Sequence, residues 1–330
     1  MLEKMALKRV WGAVQRMENA MKTLKGKNSI EKQGMRCSFL MMKYVTLITI
    51  LLVSNLQAQF IYTTAIGSSA QPNGLINQYS YDGNFIKSFG FVTSDAGIAA
   101  GANGEVFSVN STSGINKYNS AGQLLVAFGS AYGAGPIAYG AGYVYSVGIN
   151  GAQPNGLINQ YLENGTFVKS FGATTSNAGL AIGPDGSVFA VQNSVIRKYD
   201  FMSGNLLMSF GQAYEAGPLA VGPDGKIYSA SLNGSQPNYK INEYSADGIL
   251  LRTFGSIISD GGLAVGSDGS IYSVNGQSAL NKYDSNGNFL YSFGQAYSAG
   301  QIAATVPEPS ALSLLAVGLG GLAILRRRRS

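Results

Sequence analysis

The chain contains no histidine and a single cysteine, Cys37. The absence of histidine excludes a Ser-His-Asp triad, a Cys-His pair and any histidine-ligated metal site. One cysteine excludes an internal disulfide bond and a cysteine-based metal site. We therefore predict no catalytic residue of these kinds, no metal site and no cofactor.

Positive charge is scarce between the two ends of the chain. Residues 59–305 hold nine Lys/Arg and thirteen Asp/Glu, although the 330-residue chain as a whole has a formal net charge of +6. The excess of basic residues lies in residues 1–58 and in the final RRRRS. A nucleic-acid-binding protein needs a basic, aromatic-lined face, which this acidic segment does not offer. We expect no nucleic-acid partner.

The amino-terminal residues have the pattern of a secretory signal. In MMKYVTLITILLVSNLQAQF (41–60), Lys43 precedes an apolar stretch, 44–53, that is too short to span a bilayer. Residues 56–58 offer a small-residue cleavage site. We assign residues 42–58 to a signal peptide and 1–41 to a leader. Either translation begins at Met41 or Met42, or the leader is a long, positively charged start of the signal.

The carboxyl end, VPEPSALSLLAVGLGGLAILRRRRS (306–330), has three parts. Prolines make the first part extended. Residues 311–325 form an uncharged apolar helix about 22 Å long at 1.5 Å per residue. Four arginines follow, which would stay cytoplasmic by the positive-inside rule. Taken alone, these residues indicate a short membrane anchor.

The order of motif, helix and arginine cluster also resembles the PEP-CTERM sorting signal, on Val306, Pro307, Glu308 and Pro309. That signal goes with Gram-negative bacteria that make exopolysaccharide. The resemblance implies cleavage near the motif by a membrane protease of the exosortase type. It also implies a transient anchor in the inner membrane through the helix, and a final place at the cell surface or outside the cell. We assign residues 305–330 to this signal.

A repeat runs through residues 59–304. Phe-Gly pairs end at Gly90, Gly129, Gly172, Gly211, Gly255 and Gly294, at spacings of 39, 43, 39, 44 and 39 residues. In the unit 173–211, turn signals separate four short segments rich in Val, Ile, Tyr and Phe, at 179–183, 187–191, 195–199 and 206–210. Four strands in about 40 residues are typical of one blade of a β-propeller.

The two ends of the repeat predict how the ring closes. Residues 60–90 supply the second, third and fourth strands of a blade, and residues 295–304 supply a first strand with nothing after it. Together they complete one blade. We predict an all-β, six-bladed propeller without an unpaired edge between its ends. Segments such as GLAVGSDGSIYSVNGQSALNKYDSNGNFLYSFG (262–294) resemble NHL repeats, a family of mostly binding modules with some lyases and lactonases.

The blades alternate in sequence. AQPNGLINQY occurs at 70–79 and 152–161, and SQPNYKINEY at 235–244, always between the second and third strands of an odd blade. We interpret each QPNG segment as a loop, and the ring as pseudo-threefold. Loops between second and third strands share a face with the connections between blades. On that face we predict a ligand-binding set of aromatic, amide and carboxylate groups: Tyr132, Tyr214, Tyr297, Asn73, Asn155, Asn238, Asp95, Asn177 and Asp260.

Three interpretations of this set remain open. Aromatic rings and amides suit sugars or peptides, which predicts a non-enzymatic module that binds polysaccharide or protein in the extracellular matrix. Duplication of a blade pair with structural bracing by Asn and Tyr explains the same pattern without a ligand. A lyase or lactonase would need a metal at the channel mouth, held by Asp95, Asn177 and Asp260. The Asp-Gly pairs at Asp185, Asp224 and Asp268 are interpreted as hairpin turns of the opposite face, or as calcium contacts.

Overall fold

The computed structural model describes residues 59–305, except for short gaps. The gaps are residues 67–71, 94–96, 102, 111, 113, 134, 151–152, 176, 178, 215–216, 235, 259–260 and 298–299. The predicted leader, signal peptide, sorting motif and apolar helix lie outside the described residues. Within the described part of the chain, no helix suited to crossing a membrane occurs.

Twenty-four strands form six antiparallel sheets of four strands each. The strands of blade 1 are β24 (Ile302–Ala304), β1 (Phe60–Ile66), β2 (Pro72–Ser80) and β3 (Phe85–Phe89). Those of blade 2 are β4 (Ile98–Ala100), β5 (Val106–Val109), β6 (Ile115–Tyr118) and β7 (Leu124–Phe128). Those of blade 3 are β8 (Ile137–Gly140), β9 (Tyr143–Asn150), β10 (Gln153–Leu162) and β11 (Phe167–Phe171).

The other three blades follow the same order from the inner to the outer strand. The strands of blade 4 are β12 (Leu180–Ile182), β13 (Val188–Gln192), β14 (Val195–Tyr199) and β15 (Leu206–Phe210). Those of blade 5 are β16 (Leu219–Val221), β17 (Ile227–Asn233), β18 (Gln236–Tyr244) and β19 (Leu250–Phe254). Those of blade 6 are β20 (Leu263–Val265), β21 (Ile271–Val274), β22 (Leu280–Tyr283) and β23 (Phe289–Phe293).

Ring closure is as predicted. Strand β24 pairs antiparallel with β1, with Ile302 opposite Thr63 and Ala304 opposite Ile61. The inner strands pack against one another in the cyclic order β4, β8, β12, β16, β20, β24 and back to β4. The predicted six-bladed propeller, with one blade shared by the two ends, is confirmed. Because the shared blade joins the first and last strands, the ring has no break between them.

Blades pack face to face through buried second strands. All four residues of β5, Val106 to Val109, are buried, and the Oγ of Ser108 donates a hydrogen bond of 2.6 Å to the carbonyl of Phe91 in the preceding connection. Small serines at this place leave room for the neighbouring sheet, while Val, Phe and Tyr fill the space between sheets. This is why the second strands have apolar residues on both faces.

The Phe-Gly pairs that mark the repeat lie at the contact between successive blades. Gly90 has φ +63°, and a Cβ built on it would lie 2.8 Å from the ring of Tyr118 in the next blade. Phe89 meets the same ring edge to face, with centroids 5.7 Å apart. The pair thus supplies both the left-handed turn and the close approach that let the chain pass to the next blade.

One feature of the ring has threefold rather than sixfold symmetry. The amides of Gly97, Gly179 and Gly262 donate to the carbonyls of Gly135, Gly217 and Gly300 at 2.9–3.0 Å, and join blades 2 to 3, 4 to 5 and 6 to 1. A Cβ on Gly179 would lie 2.3 Å from the backbone nitrogen of Leu219. No side chain fits at that distance. The predicted pseudo-threefold pairing of blades is therefore present in the backbone of the inner ring.

Candidate functional site

Three long hairpins distinguish one face of the ring. In blade 3 the second and third strands have 8 and 10 residues, whereas their counterparts in blade 2 have 4 each. The connections between blades pass beside these hairpins, since the amides of Val92 and Thr174 donate to the carbonyls of Gly74 and Gly156 at 2.9 Å. We call this the hairpin face, and the opposite face the turn face.

The QPNG segments are not loops, and that part of the sequence interpretation was wrong. Gln153 and Pro154 belong to β10 and pair with Asn150 and Ile149 of β9. The pairing then shifts register before Ile158, at Gly156, whose φ is +73°. A β-bulge of this kind inserts extra residues and bends the hairpin. Pro and Gly therefore mark an irregular strand here rather than its end.

The three asparagines of the predicted site brace these bulges. Asn155 Oδ1 accepts the amide of Leu157 at 2.9 Å, and its Nδ2 donates to the carbonyl of Ile149 at 3.4 Å. The counterparts make the same contacts, with Asn73 bonded to Leu75 and Ile66, and Asn238 bonded to Lys240 and Leu232. Both polar ends of each amide are thus engaged within the hairpin, as the bracing interpretation expected.

The three tyrosines of the predicted site are held differently. Their backbone amides donate to the second strands of the odd blades, Tyr132 to Val147, Tyr214 to Ala230 and Tyr297 to Thr64, at 2.9–3.1 Å. Their side chains are half-buried. Among the described residues, none of the three hydroxyl groups has a hydrogen-bond partner. Each tyrosine therefore has a backbone that is fixed beside an odd blade and a side chain that is half-buried on the hairpin face.

The predicted mouth carboxylates, Asp95 and Asp260, lie outside the described residues, and Asn177 is engaged by other groups of the protein. In the part of the chain that the structure describes, no three His, Cys, Asp or Glu side chains are close enough to hold a metal ion. The described inner strands consist of apolar residues and glycine apart from Tyr139, whose ring stacks on Phe107 of blade 2 and whose hydroxyl group donates to Glu163. These described residues contain no set of metal ligands for hydrolytic or lyase chemistry.

The Asp-Gly pairs form hairpin turns of the turn face, as predicted. Gly186 has φ +82°, and Asp185 accepts both the amide and the hydroxyl group of Ser187, at 3.0 and 2.9 Å. Burial opposes ionisation of Asp185, but these bonds and the ammonium group of Lys198 hold the pKa of the carboxyl group below its usual value. Asp268 makes the same pair of bonds to Ser270. The carboxylates are occupied by the turn itself.

Two exposed aromatic residues of the hairpin face were not among the predicted site residues. Phe91 is 41 % exposed beside the blade 1 hairpin, and Tyr239 is 57 % exposed in the blade 5 hairpin. The signal for Tyr239 was present in the sequence, because SQPNYKINEY departs from the other two copies at this position. For Phe91 only the structure shows the contact with the hairpin.

Comparison with known proteins identifies the end of the chain and supports the fold. The PEP-CTERM protein-sorting motif matches residues 305–329. A crystal structure of a protein of unknown function from Bacteroides caccae matches with a TM-score of 0.54 at 14% identity, over 75% of this chain and 99% of that one. At this identity the likeness bears on the fold alone. No curated protein matches the chain in sequence.

The motif has a direct consequence for the fate of the protein. A PEP-CTERM end implies export and handling by the membrane-associated exosortase system, whose protease processes proteins at this motif. The resemblance of residues 306–309 to that signal is thereby confirmed, whereas the final location is a separate matter. The chain is an exported six-bladed β-propeller that carries a PEP-CTERM protein-sorting motif at its carboxyl end.

Proposed function

We propose that the propeller is a non-enzymatic binding module that holds polysaccharide or protein of the extracellular matrix on its hairpin face. The observation that carries this proposal is the threefold set of Tyr132, Tyr214 and Tyr297. Each is half-buried, anchored through its backbone and without a hydroxyl partner among the described residues. Aromatic rings with a polar tip suit both the C–H faces of sugars and the backbone of peptides.

The threefold arrangement also suits a long or repetitive ligand. One tyrosine stands at the entrance to each odd blade, so that a polymer crossing the face meets the same contact more than once. Several weak contacts to one polymer raise the overall affinity without any single strong site. A module of this kind would retain the exported protein in the matrix after the exosortase system has processed its tail. The signal peptide that we propose for residues 42–58 would start that route.

Capture from the matrix tests the proposal. The propeller, residues 59–305, is immobilised and mixed with polysaccharide and protein fractions from the matrix of the producing cells. We expect capture of at least one fraction, and its loss in the Tyr132→Ala, Tyr214→Ala and Tyr297→Ala triple variant. A chelator added to a parallel sample should leave capture unchanged. Loss of capture on chelation would instead favour a metal at the channel mouth.

A further inference from the structure

The blade 5 hairpin carries an aromatic residue in a backbone conformation that normally favours glycine. Gly74 and Gly156 occupy the bulge of the blade 1 and blade 3 hairpins with φ +77° and +73°. Tyr239 occupies the corresponding place in blade 5 with φ +58°, and its side chain is 57 % exposed. Bulky residues rarely adopt this conformation, and its cost is not repaid by burial of the ring. Such an outlier directs attention to a role for the exposed ring itself.

A second ring stands at the same place in blade 1 but comes from another part of the chain. A Cβ on Gly74 would lie 3.1 Å from Cε2 of Phe91, which is itself 41 % exposed. In blade 5 the residue in the place of Phe91 is Ser256, and the ring belongs to the hairpin. The blade 3 hairpin has Gly156 and Ala173 at these two places, and therefore has no ring.

A free positive charge accompanies the ring in blade 5. Lys240 stands where the other hairpins have Leu75 and Leu157, and its side chain is exposed. Among the described residues its ammonium group has no carboxylate within ion-pair distance, whereas Lys117 and Lys226 are each paired with acids. The Lys240 amide is fixed by Asn238 Oδ1 at 3.0 Å, so that the brace of the hairpin also positions the Tyr-Lys pair.

The described carboxylates are concentrated on the other side of the ring. Glu243 is buried and paired with Arg252 and Lys226. The remaining described carboxylates all lie in turns of the turn face: Asp82, Glu105, Glu163, Asp185, Asp200, Asp224, Asp247, Asp268 and Asp284. Lys117, Lys198 and Lys226 are paired with these carboxylates, so that Lys240 stands apart from the described ion pairs, on the hairpin face.

We propose that Tyr239 and Lys240 form a subsite for an acidic sugar residue of a polysaccharide. The phenol ring packs against the C–H face of the sugar, and the ammonium group pairs with its carboxylate. This inference rests on the proposed binding function, and it narrows the ligand to a polyuronate-like chain.

The test removes the Tyr-Lys pair from the blade 5 hairpin and, in a second variant, introduces it into the blade 3 hairpin. Tyr239→Gly with Lys240→Leu makes the blade 5 hairpin resemble those of blades 1 and 3, and Gly156→Tyr with Leu157→Lys copies the pair into blade 3. Binding is measured to polygalacturonate and, as a neutral control, to dextran. We expect the first variant to bind polygalacturonate at least about tenfold more weakly, equivalent to 1.4 kcal/mol. The blade 3 graft should bind more tightly than the parent, and Lys240→Leu alone should remove most of the salt dependence.

Folding and binding can be separated in these variants. Tyr239→Gly relieves an unfavourable backbone conformation, so we expect its Tm to stay unchanged or rise by about 2–4 °C. Binding of polygalacturonate by the double variant with the affinity of the parent would overturn the subsite, as would equal binding of dextran and polygalacturonate by the parent. If matrix capture depends on the three tyrosines while the double variant is unaffected, the proposed function survives and the subsite fails. If the parent captures nothing, both fail.

Discussion

The hydroxyl group of Tyr118 accepts a hydrogen bond of 2.8 Å from the backbone amide of Phe91, across the contact between blades 1 and 2. The same hydroxyl group lies 3.3 Å from the carbonyl of Phe91, to which it donates, and accepts a bond of 2.9 Å from Asn116. At each of the other five contacts between blades, a tyrosine hydroxyl group accepts a backbone amide in the same way: those of Tyr161, Tyr199, Tyr244, Tyr283 and Tyr79. The Phe-Gly pair of one blade and the repeated tyrosine of the next blade thus form the same contact between blades.

Removal of this hydroxyl group should destabilise the ring. Tyr118→Phe leaves the part-buried amide of Phe91 and one amide proton of Asn116 without partners, which costs about 1–3 kcal/mol of the free energy of unfolding. Urea unfolding followed by tyrosine fluorescence measures the change. Tyr272→Phe is the matched control, because the hydroxyl group of Tyr272 is buried without a partner among the described residues. Because removal of an unpaired buried hydroxyl group is neutral or stabilising, we expect that control to be at least as stable as the parent. Equal losses in both variants would refute the role of the Tyr118 hydroxyl group.

The inner ring should not tolerate a side chain at its threefold glycines. In Gly179→Ala the new methyl group would meet the backbone nitrogen of Leu219 at 2.3 Å, so that two blades must move apart. We expect a loss of at least about 2 kcal/mol. Gly276→Ala is the control, since nothing lies within 4 Å of a Cβ there. Thermal unfolding of the two variants, measured side by side, tests this expectation. Equal melting temperatures would contradict the close approach of Gly179 to the backbone of Leu219.

The buried tyrosines should make the free energy of unfolding of the propeller decrease in alkaline solution. Burial raises the pKa of Tyr81 to about 12 from its ordinary value of 10.0, and raises the pKa of Tyr62, Tyr145, Tyr228 and Tyr272 as well. Above pH 10 the unfolded chain loses these protons while the folded chain keeps them. The free energy of unfolding is therefore unaffected below pH 10 and falls as the pH rises from there.

The urea midpoint measured at intervals from pH 8 to pH 12 tests this expectation. It should be constant up to about pH 10 and then decline. Tyr81→Phe removes one of the contributing groups and should make the decline shallower, even though it also removes the bond of 2.6 Å to the Thr305 carbonyl. A midpoint that stays level to pH 12 would contradict the burial of these rings.

The sorting motif should govern processing independently of the propeller. Pro307→Ala with Glu308→Ala alters the motif and leaves all residues of the strands that close the ring unchanged. In the producing cells we expect this variant to accumulate uncleaved in the membrane fraction. Ser310→Ala, beside the motif, should be processed as the parent is. Mass spectrometry of the carboxyl end compares the two, and normal cleavage of the double variant would disprove a role for these residues.

Most of the fold was predictable because the repeat places strand and turn signals at regular intervals. Two of the four strands predicted in the unit 173–211 match the structure residue for residue, at 195–199 and 206–210. The predicted strand 179–183 is one residue too long at each end, and the predicted strand 187–191 is shifted by one residue. Closure through β24 was predictable for the same reason, because residues 60–90 lack the first strand of a blade and residues 295–304 supply one. Local propensity and the global fold agree in this chain.

The candidate site was less predictable, since it depends on contacts between blades. QPNG has the composition of a turn, but the strands continue through it with a bulge that only the pairing reveals. The bracing role of Asn155 likewise depends on the distance to Ile149, six residues away along the chain. Whether the Tyr132 hydroxyl group has a partner among the described residues depends on the tertiary structure, and the spacing of residues in the sequence does not predict it.

The affinity of the propeller for its captured matrix fraction, measured with single and triple tyrosine variants, tests the central claim most directly. If the hairpin face binds a polymer through three equivalent contacts, each single change, Tyr132→Ala, Tyr214→Ala or Tyr297→Ala, should weaken binding only a few-fold. The triple variant should then lose at least about 100-fold, because the contacts act together. A triple variant that keeps its melting temperature and binds as tightly as the parent would contradict the account.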